Sequence, residues 1–383
     1  MKSSSWCLRV SSLAIFAGSM GILPDVSAQE IASEKAKFKV EVIAEGLENP
    51  WGLAKLPDGS LLVTERPGRV RLITPDGKLQ PPLDGIPEVR AKGQGGMLDV
   101  ALHPDYQKNG WVYLSYSTAI DDTGHTKIIR GRIKGNVFVD QEVIFDPPSS
   151  EYTAANHHFG SRIVFDGNGY LFFSIGDRGT PPDPKNNAQK LDVVAGKIHR
   201  IHDDGRIPKD NPFYSKGGSA RTIWSYGNRN AQGLKIHPKT GVLWETEHGP
   251  RGGDELNIIE KGKNYGWPLV SYGINYNGKA FTDKTEAPGM EAPVIHWTPS
   301  IGVAGIDFYF GDKFPDWNGN LFVTGLAHKK VIRVEINDQN QVTHQEILLE
   351  NSGRLRDVRS FDDGFLYLVY DDPGKVVKLV PAG

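Results

Sequence analysis

Phe165-Asp166-Gly167-Asn168-Gly169-Tyr170-Leu171-Phe172-Phe173-Ser174 decides how this chain folds. A turn rich in Asp and Gly breaks the chain, and a run of aromatic and aliphatic residues follows at once. Glycine admits the positive φ of a tight hairpin, and such side chains suit a pleated, half-buried surface. The pattern recurs outward in both directions. Upstream it reads Leu56-Pro57-Asp58-Gly59-Ser60-Leu61-Leu62-Val63-Thr64, then His103-Pro104-Asp105 continuing to Gly110-Trp111-Val112-Tyr113-Leu114-Ser115. Downstream it reads His237-Pro238-Lys239-Thr240-Gly241-Val242-Leu243-Trp244-Glu245, Phe314-Pro315-Asp316-Trp317-Asn318-Gly319-Asn320-Leu321-Phe322-Val323 and Phe361-Asp362-Asp363-Gly364-Phe365-Leu366-Tyr367-Leu368-Val369. That makes six copies. Repeats roughly 45 to 80 residues apart, each too small to bury both faces alone, predict an all-β, six-bladed β-propeller with four-stranded antiparallel blades. Two sandwich domains are the alternative architecture. No run longer than about ten residues shows helical periodicity. The excess length between copies lies in 116–160, 176–222 and 250–312, where loops on one face of a propeller would build a site.

The first 28 residues read differently. Lys2 and Arg9 precede the apolar run Leu13-Ala14-Ile15-Phe16-Ala17, which exits through Gly18 and Gly21 to Val26-Ser27-Ala28. A basic start, a short apolar core and a small-residue exit predict a secretory signal peptide over 1–28, a single propeller domain over 29–383 and a periplasmic protein. The run is too short and glycine-broken to span a bilayer. Cys7, the one cysteine, lies in this segment, so cysteine chemistry is excluded from the mature chain. Removing 1–28 takes away Lys2, Arg9 and Asp25, and the net charge moves from −2 to −3. Such a balance argues against nucleic-acid binding, which needs an excess of Lys and Arg. No other segment is apolar enough for an integral membrane protein.

Four polar stretches interrupt the strands. In Asn156-His157-His158-Phe159-Gly160-Ser161-Arg162 no partner at zinc spacing completes the paired histidines, so a general base and a structural histidine stay open. If the chain is extended there, neighbouring side chains point to opposite sides and only one imidazole faces a substrate. Tyr226-Gly227-Asn228-Arg229-Asn230-Ala231-Gln232-Gly233 sets Arg, Asn and Gln between glycines and suits a planar, oxygen-rich ligand. Glu247-His248-Gly249-Pro250-Arg251-Gly252-Gly253-Asp254-Glu255, with Asn264-Tyr265-Gly266-Trp267-Pro268 beyond it, offers the hard oxygen ligands calcium prefers, or else is an acidic solvated loop. Arg354-Leu355-Arg356-Asp357 puts two guanidiniums on one face of an extended segment, either to clamp carboxylates or as a surface ion pair.

Together, and in this order, these stretches resemble the glucose/sorbosone dehydrogenase family, especially the periplasmic aldose sugar dehydrogenases. Gly93-Gln94-Gly95-Gly96, His158-Phe159-Gly160-Ser161-Arg162, Ser174-Ile175-Gly176-Asp177-Arg178-Gly179, Asp254-Glu255-Leu256-Asn257 and the arginine pair carry the likeness from about residue 40 onward. The resemblance implies a propeller with pyrroloquinoline quinone (PQQ) across one face, and oxidation of an aldose's C1 hydroxyl to a lactone by hydride transfer, with calcium assisting. It makes His158 the catalytic base and Arg229 the partner of the quinone oxygen. Gln94, Arg229, Asn230, Tyr276, Ala327, Arg354 and Arg356 become cofactor contacts. Gly249 and Pro250 become carbonyl ligands of the calcium at PQQ, and Glu255 and Tyr265 ligands of a further calcium.

Two positions depart from the family pattern. His248 replaces the Gln that precedes Gly-Pro in soluble glucose dehydrogenase. Ala327 stands where relatives often carry Lys, and either Lys329 reaches the cofactor in its place or that contact is lost. The partners implied are an aldose and an electron acceptor, a quinone or a cytochrome. A calcium-dependent lactonase and a non-catalytic binding propeller are the rival functions, since fold alone fixes none. The arginine pair discriminates, because a lactone carries no carboxylates to clamp.

Overall fold

The computed structural model describes residues 29–182 and 185–382, so the predicted signal peptide lies outside the described residues. Six antiparallel sheets form the blades of a β-propeller. Blade 1 runs Pro50–Lys55, Leu61–Glu65, Arg69–Ile73 and Leu79–Pro82, and blade 2 runs Met97–Leu102, Val112–Ile120, Thr123–Lys134 and Val137–Phe145. Blade 3 is Ile163–Phe165, Tyr170–Ile175, Lys197–His202 and Ile223–Tyr226, and blade 4 is Ala231–Ile236, Leu243–Glu247, Asp254–Ile258 and Ile295–Trp297. Blade 5 comprises Val303–Phe308, Leu321–Gly325, Lys330–Ile336 and Val342–Leu349. Blade 6 takes Arg354–Ser360, Leu366–Asp372 and Lys375–Pro381 from the end of the chain and completes itself with Lys37–Glu45 and the two-residue strand Ile31–Ala32 from its beginning. That blade therefore has five strands where four were expected.

Each of the six repeated turns joins the first strand of a blade to its second. The first strands pack side by side in cyclic order, with Arg354–Ser360 closing the ring against Pro50–Lys55. Apolar clusters fill the spaces between neighbouring blades. Leu62 and Val70 of blade 1, for example, pack with Leu114, Ile129 and Phe138 of blade 2. Full burial of such side chains contributes roughly 1.5–3 kcal/mol each, and this is what joins blades that share no ladder.

The centre of the ring is polar. Arg162 donates through Nη1 to Asp99 Oδ1 and Asp357 Oδ2, both at 3.0 Å, and Arg359 binds the same two carboxylates at 3.0 and 2.8 Å. Arg162, Asp99 and Asp357 are buried and Arg359 is half-buried among first strands or the segments leading into them, so each charge finds its partner within the ring. Gly52 is required beside them, because a Cβ there would sit 2.7 Å from Asp99 Oδ1.

The expectation that all the excess length forms loops on one face needs correction. Much of 116–160 is strand, since blade 2 continues to Ile120, Lys134 and Phe145. Residues 176–182 and 185–196 do lie at the end where first strands begin, but 203–222 connect the third and fourth strands of blade 3 at the opposite end.

Candidate active site

Every blade, or the segment leading into it, contributes to one cavity of about 340 Å³. Its lining includes Trp51, Arg66, Gln94, Phe159, Gln232, His248, Leu326, Ala327, Arg354, Arg356 and Asp371. Because these residues come from the whole circle, near the starts of first strands, the cavity sits on the propeller axis at that end. Gln94, Ala327, Arg354 and Arg356 meet there as expected.

His158 stands beside this cavity on the segment between blades 2 and 3. Its backbone N–H donates to Gln94 Oε1 at 2.8 Å, and its Nδ1 lies 2.6 Å from Asp177 Oδ1. No hydrogen bond engages Nε2 among the described residues. Burial pushes the His158 imidazole below its ordinary pKa, and the Arg229 and His157 charges add to this while Asp177 opposes it. Burial would raise the Asp177 carboxyl, but the hydrogen bond and charge of His158, together with Arg229 and the Gly179 N–H, hold it below the usual carboxylate range.

The reason given for choosing between the two histidines is corrected by the backbone. His158 has φ +57°, so it is left-handed rather than extended, and the strand begins only at Ile163. The two imidazoles do not point to opposite sides; they touch edge to face with centroids 4.9 Å apart. What separates them is environment, since His157 is exposed whereas the side chain of His158 is only 11 % exposed and bonded to Asp177. Arg178 secures their loop by donating to the carbonyls of His157 and Ala155, with its guanidinium over the Phe159 ring.

Arg229 and Asn230 lie across from His158. Both backbone N–H groups donate to Glu247 Oε2, while Arg229 Nη1 donates to the carbonyls of His248 and Gly249, each at 3.0 Å. The Gly249 oxygen expected to bind calcium is thus held by a guanidinium here. Asn230 Oδ1 accepts from the Gly160 N–H at 3.3 Å, which ties it to the histidine loop. Arg356 is half-buried, and its Nη1 donates to Gln232 Oε1 at 2.9 Å. Arg354 is the more exposed of the pair, with its Nε 3.2 Å from Asp371 Oδ2. Among the buried nitrogens without a hydrogen-bond partner in the described residues are three on these side chains and the adjoining His248: Arg229 Nε, His248 Nε2 and Arg356 Nε. Uncompensated donors of this kind are costly unless a ligand or water meets them, and an oxygen-rich planar polyacid fits such a set.

A second cavity of about 10 Å³, room for roughly one water-sized sphere, is bordered by Arg229, Glu247, Gly249, Glu255, Tyr265 and Trp267. Glu247 pairs with Glu255 across two strands and Glu245 with Asn257, which leaves two buried carboxylates, Glu245 and Glu247, close to the half-buried Glu255. Burial and mutual repulsion push Glu255 up to about 8. Burial also lifts Glu247 to about 7 against the hydrogen bonds it accepts, and Glu245 is raised well above the usual range. Oxygens of Glu245, Asn257 and Asn228 have no partner. This chemistry fits a hard cation. Among the described residues, however, no three acidic, His or Cys side chains converge as a finished chelate, so carbonyls would have to complete the shell. The Tyr265 hydroxyl is already engaged with Ile258 O and the Glu260 N–H, so only its carbonyl is available for that purpose.

Three expected contacts are not brought to the site. Tyr276 is 73 % exposed and lines neither cavity. Lys329 is exposed on a left-handed turn and lies outside the lining, so it does not replace the missing Lys. Pro250 is buried but does not border the second cavity. Conversely, Trp51, Arg66, Asp177 and Glu245 gained no role from sequence. Asp177 sat within a quoted motif, and Glu245 alternates with Glu247 in an otherwise apolar strand, a pattern that marks two inward carboxylates.

The chain matches the family model described as Glucose / Sorbosone dehydrogenase over residues 47–378. It is 43% identical over 353 residues to the aldose sugar dehydrogenase YliI of Escherichia coli, covering 90% of this chain and 94% of that one. The apo-form crystal structure of the soluble aldose sugar dehydrogenase from Escherichia coli superposes with a TM-score of 0.85 at 42% identity, covering 90% of this chain and 99% of the other. The PQQ-bound aldose sugar dehydrogenase of Streptomyces coelicolor superposes with a TM-score of 0.73 at 28% identity, covering 90% and 98%. With its propeller, its axial cavity and its histidine–aspartate pair, the chain belongs to the glucose/sorbosone dehydrogenase family.

Proposed function

We propose that this protein is a periplasmic, PQQ-dependent aldose dehydrogenase that oxidises the C1 hydroxyl of a sugar to a lactone with the help of calcium. The observation that carries the reading is the His158–Asp177 pair at 2.6 Å, beside an axial cavity walled by guanidiniums. Bound PQQ would supply the two-electron acceptor for the hydride leaving C1. His158, neutral near pH 7, takes the C1 hydroxyl proton on Nε2 while Asp177 steadies the imidazolium that forms. Arg229, pinned by two carbonyls, presents a fixed cation where an oxygen gains negative charge, and a preorganised charge costs no rearrangement at that moment. Arg354 and Arg356 hold the carboxylates of the cofactor, and Gln94, which already fixes the His158 backbone, lines the same space. Calcium would be held at the small acidic cavity by Glu255 and the Tyr265 carbonyl, while the Gly249 carbonyl stays with Arg229. Its role is to neutralise charge. The basic and apolar segment 1–28 supports export, and a quinone or cytochrome would take up the electrons.

The test is to add PQQ and Ca²⁺, singly and together, to purified apoprotein and follow aldose-dependent reduction of an artificial acceptor dye. Activity is expected only with both present. Equal activity with NAD⁺ and no PQQ overturns the proposal. So does hydrolysis of a sugar lactone with no dye reduction.

A further inference from the structure

Asp177 is the most heavily bonded carboxylate of the site. Among the described residues Oδ1 takes His158 Nδ1 at 2.6 Å and the Gly179 N–H at 2.8 Å, while Oδ2 takes the Trp267 indole at 2.7 Å and Asn186 Nδ2 at 3.2 Å. A carboxylate offers about four lone-pair positions, so this one is filled. The donors are of one kind. An indole N–H and a peptide N–H cannot accept at all, and Asn186 presents its amide nitrogen because its Oδ1 is committed to the Ala188 N–H at 2.8 Å. A proton on either Asp177 oxygen would therefore point at another proton. The hydrogen between Asp177 and His158 has one comfortable place, on Nδ1. Which nitrogen of an imidazole carries the proton is set by the partner of the other.

Trp267 is built to hold this position. Its backbone N–H donates to Gly227 O at 2.9 Å, its carbonyl accepts from Gln189 Nε2 at 2.7 Å, and Phe281 meets its ring edge-on at 5.2 Å. The Arg229 guanidinium lies 5.2 Å from the centroid of the same ring. One side chain thus touches the partner of the base and the principal cation. It also borders the small acidic cavity but not the axial one.

We propose that Trp267 is a positioning residue for His158: its indole N–H keeps Asp177 a pure acceptor, which confines the imidazole proton to Nδ1 and leaves Nε2 bare for the sugar. This deepens the dehydrogenase reading and rests on it for the role of His158. The remaining ionisable groups facing the pair are Arg178, Arg229, Lys197, His157 and His248, and none of them donates to Asp177 among the described residues.

The experiment uses the full chain labelled with ¹⁵N-histidine, with His157→Ala for assignment, and compares wild type with Trp267→Phe. A second variant carries benzothienylalanine at position 267, an indole isostere lacking only the N–H, so that loss of shape and loss of the donor are separated. Neutral His158 in the wild type is expected as the Nδ1–H tautomer alone. Both variants should show a His158 titration midpoint raised by about one unit, because Asp177 loses a donor and attracts the proton more strongly. With PQQ, Ca²⁺ and an aldose, cofactor reduction should slow roughly 10- to 100-fold, as expected for loss of one hydrogen bond to a charged group, with KM little changed. An unshifted midpoint in the isostere variant overturns the proposal. The titration needs neither PQQ nor sugar, so a failure of the dehydrogenase reading registers separately, as inactivity of the wild type.

Discussion

Replacing Arg356 with Met should weaken PQQ binding strongly while leaving the apoprotein as stable as before, or more so. The side chain is half-buried in the cavity wall, and that burial, with the neighbouring charges of Arg162, Arg354 and Arg66, pushes the guanidinium down to about 10 despite the opposing pull of Asp371. It stays charged at neutral pH, yet its hydrogen-bonded side-chain partner is the neutral Gln232 oxygen, and its Nε has none. A half-buried cation with so little compensation costs stability, and apolar replacements at such positions are commonly neutral or favourable by about 1–4 kcal/mol. A desolvated guanidinium–carboxylate pair contributes about 2–5 kcal/mol to binding. At about 1.4 kcal/mol per decade, that corresponds to roughly 30- to 4,000-fold in Kd. Arg354 differs. Its side chain is 41 % exposed and already leans on Asp371, so Arg354→Met should cost only about 0.5–1 kcal/mol after screening by water, a few-fold in Kd. Quenching of tryptophan fluorescence on titrating apoprotein with PQQ gives both constants, and thermal unfolding gives the apoprotein stabilities. Equal losses from the two substitutions would refute this reasoning, as would a marked drop in Tm of Arg356→Met apoprotein.

His158→Gln should retain PQQ binding but slow cofactor reduction roughly 10²–10⁴-fold, whereas His157→Ala should change it only a few-fold; stopped-flow absorbance with an aldose separates them. Because His158 titrates below its ordinary value, its basic form prevails at neutral pH, and kcat/KM should fall only as pH drops below about 6.5. A midpoint above 7 would contradict this. Lys197 donates to the carbonyls of Asn187, Ala188 and Ala195 at 2.8, 3.1 and 2.7 Å, so Lys197→Met should lower thermal stability by about 2–4 kcal/mol, read by calorimetry. Calcium should raise the Tm of the apoprotein by stabilising it about 2.7 kcal/mol at a hundred times its Kd, and Glu255→Gln should remove most of that gain in differential scanning fluorimetry.

The repeat was legible because it is local: a turn and the strand after it occupy ten adjacent residues, and all six copies fall at the same place in their blades. The gathering of His158, Arg229 and Arg356 around one end of the propeller was legible too, because each sits in a quoted motif. Asp177 and Trp267 were quoted without a role, because the bond between them joins positions 90 residues apart in sequence. Nothing in either neighbourhood states that pairing. Glu245 was hidden in a different way, since nothing in its own strand shows that it lies opposite Asn257 and beside the Glu247–Glu255 pair. The backbone of His158 was misjudged because nothing about a histidine forecasts a positive φ, whereas Gly160 two residues on does allow one. Tyr276 was overestimated for a related reason: a motif gives composition, but not how far a long loop carries it from the axis.

Blade 6 makes the ring's closure depend on residues made first and last. Lys37–Glu45 lies along Lys375–Pro381, and the Ala382 N–H reaches Lys37 O at 3.0 Å. During synthesis the early strand must wait, its edge unpaired, until the final strand has left the ribosome, and a handover of this kind invites pairing with a second chain in crowded conditions. The same proximity makes the chain a good subject for circular permutation. Joining residue 382 to residue 36 through a short linker and opening the chain between blades, in the segment 146–148 after blade 2, would turn that pairing into a hairpin and leave no blade divided between the termini. Such a permutant should refold faster from denaturant at similar stability, because loop-closure entropy falls with the separation that must be closed.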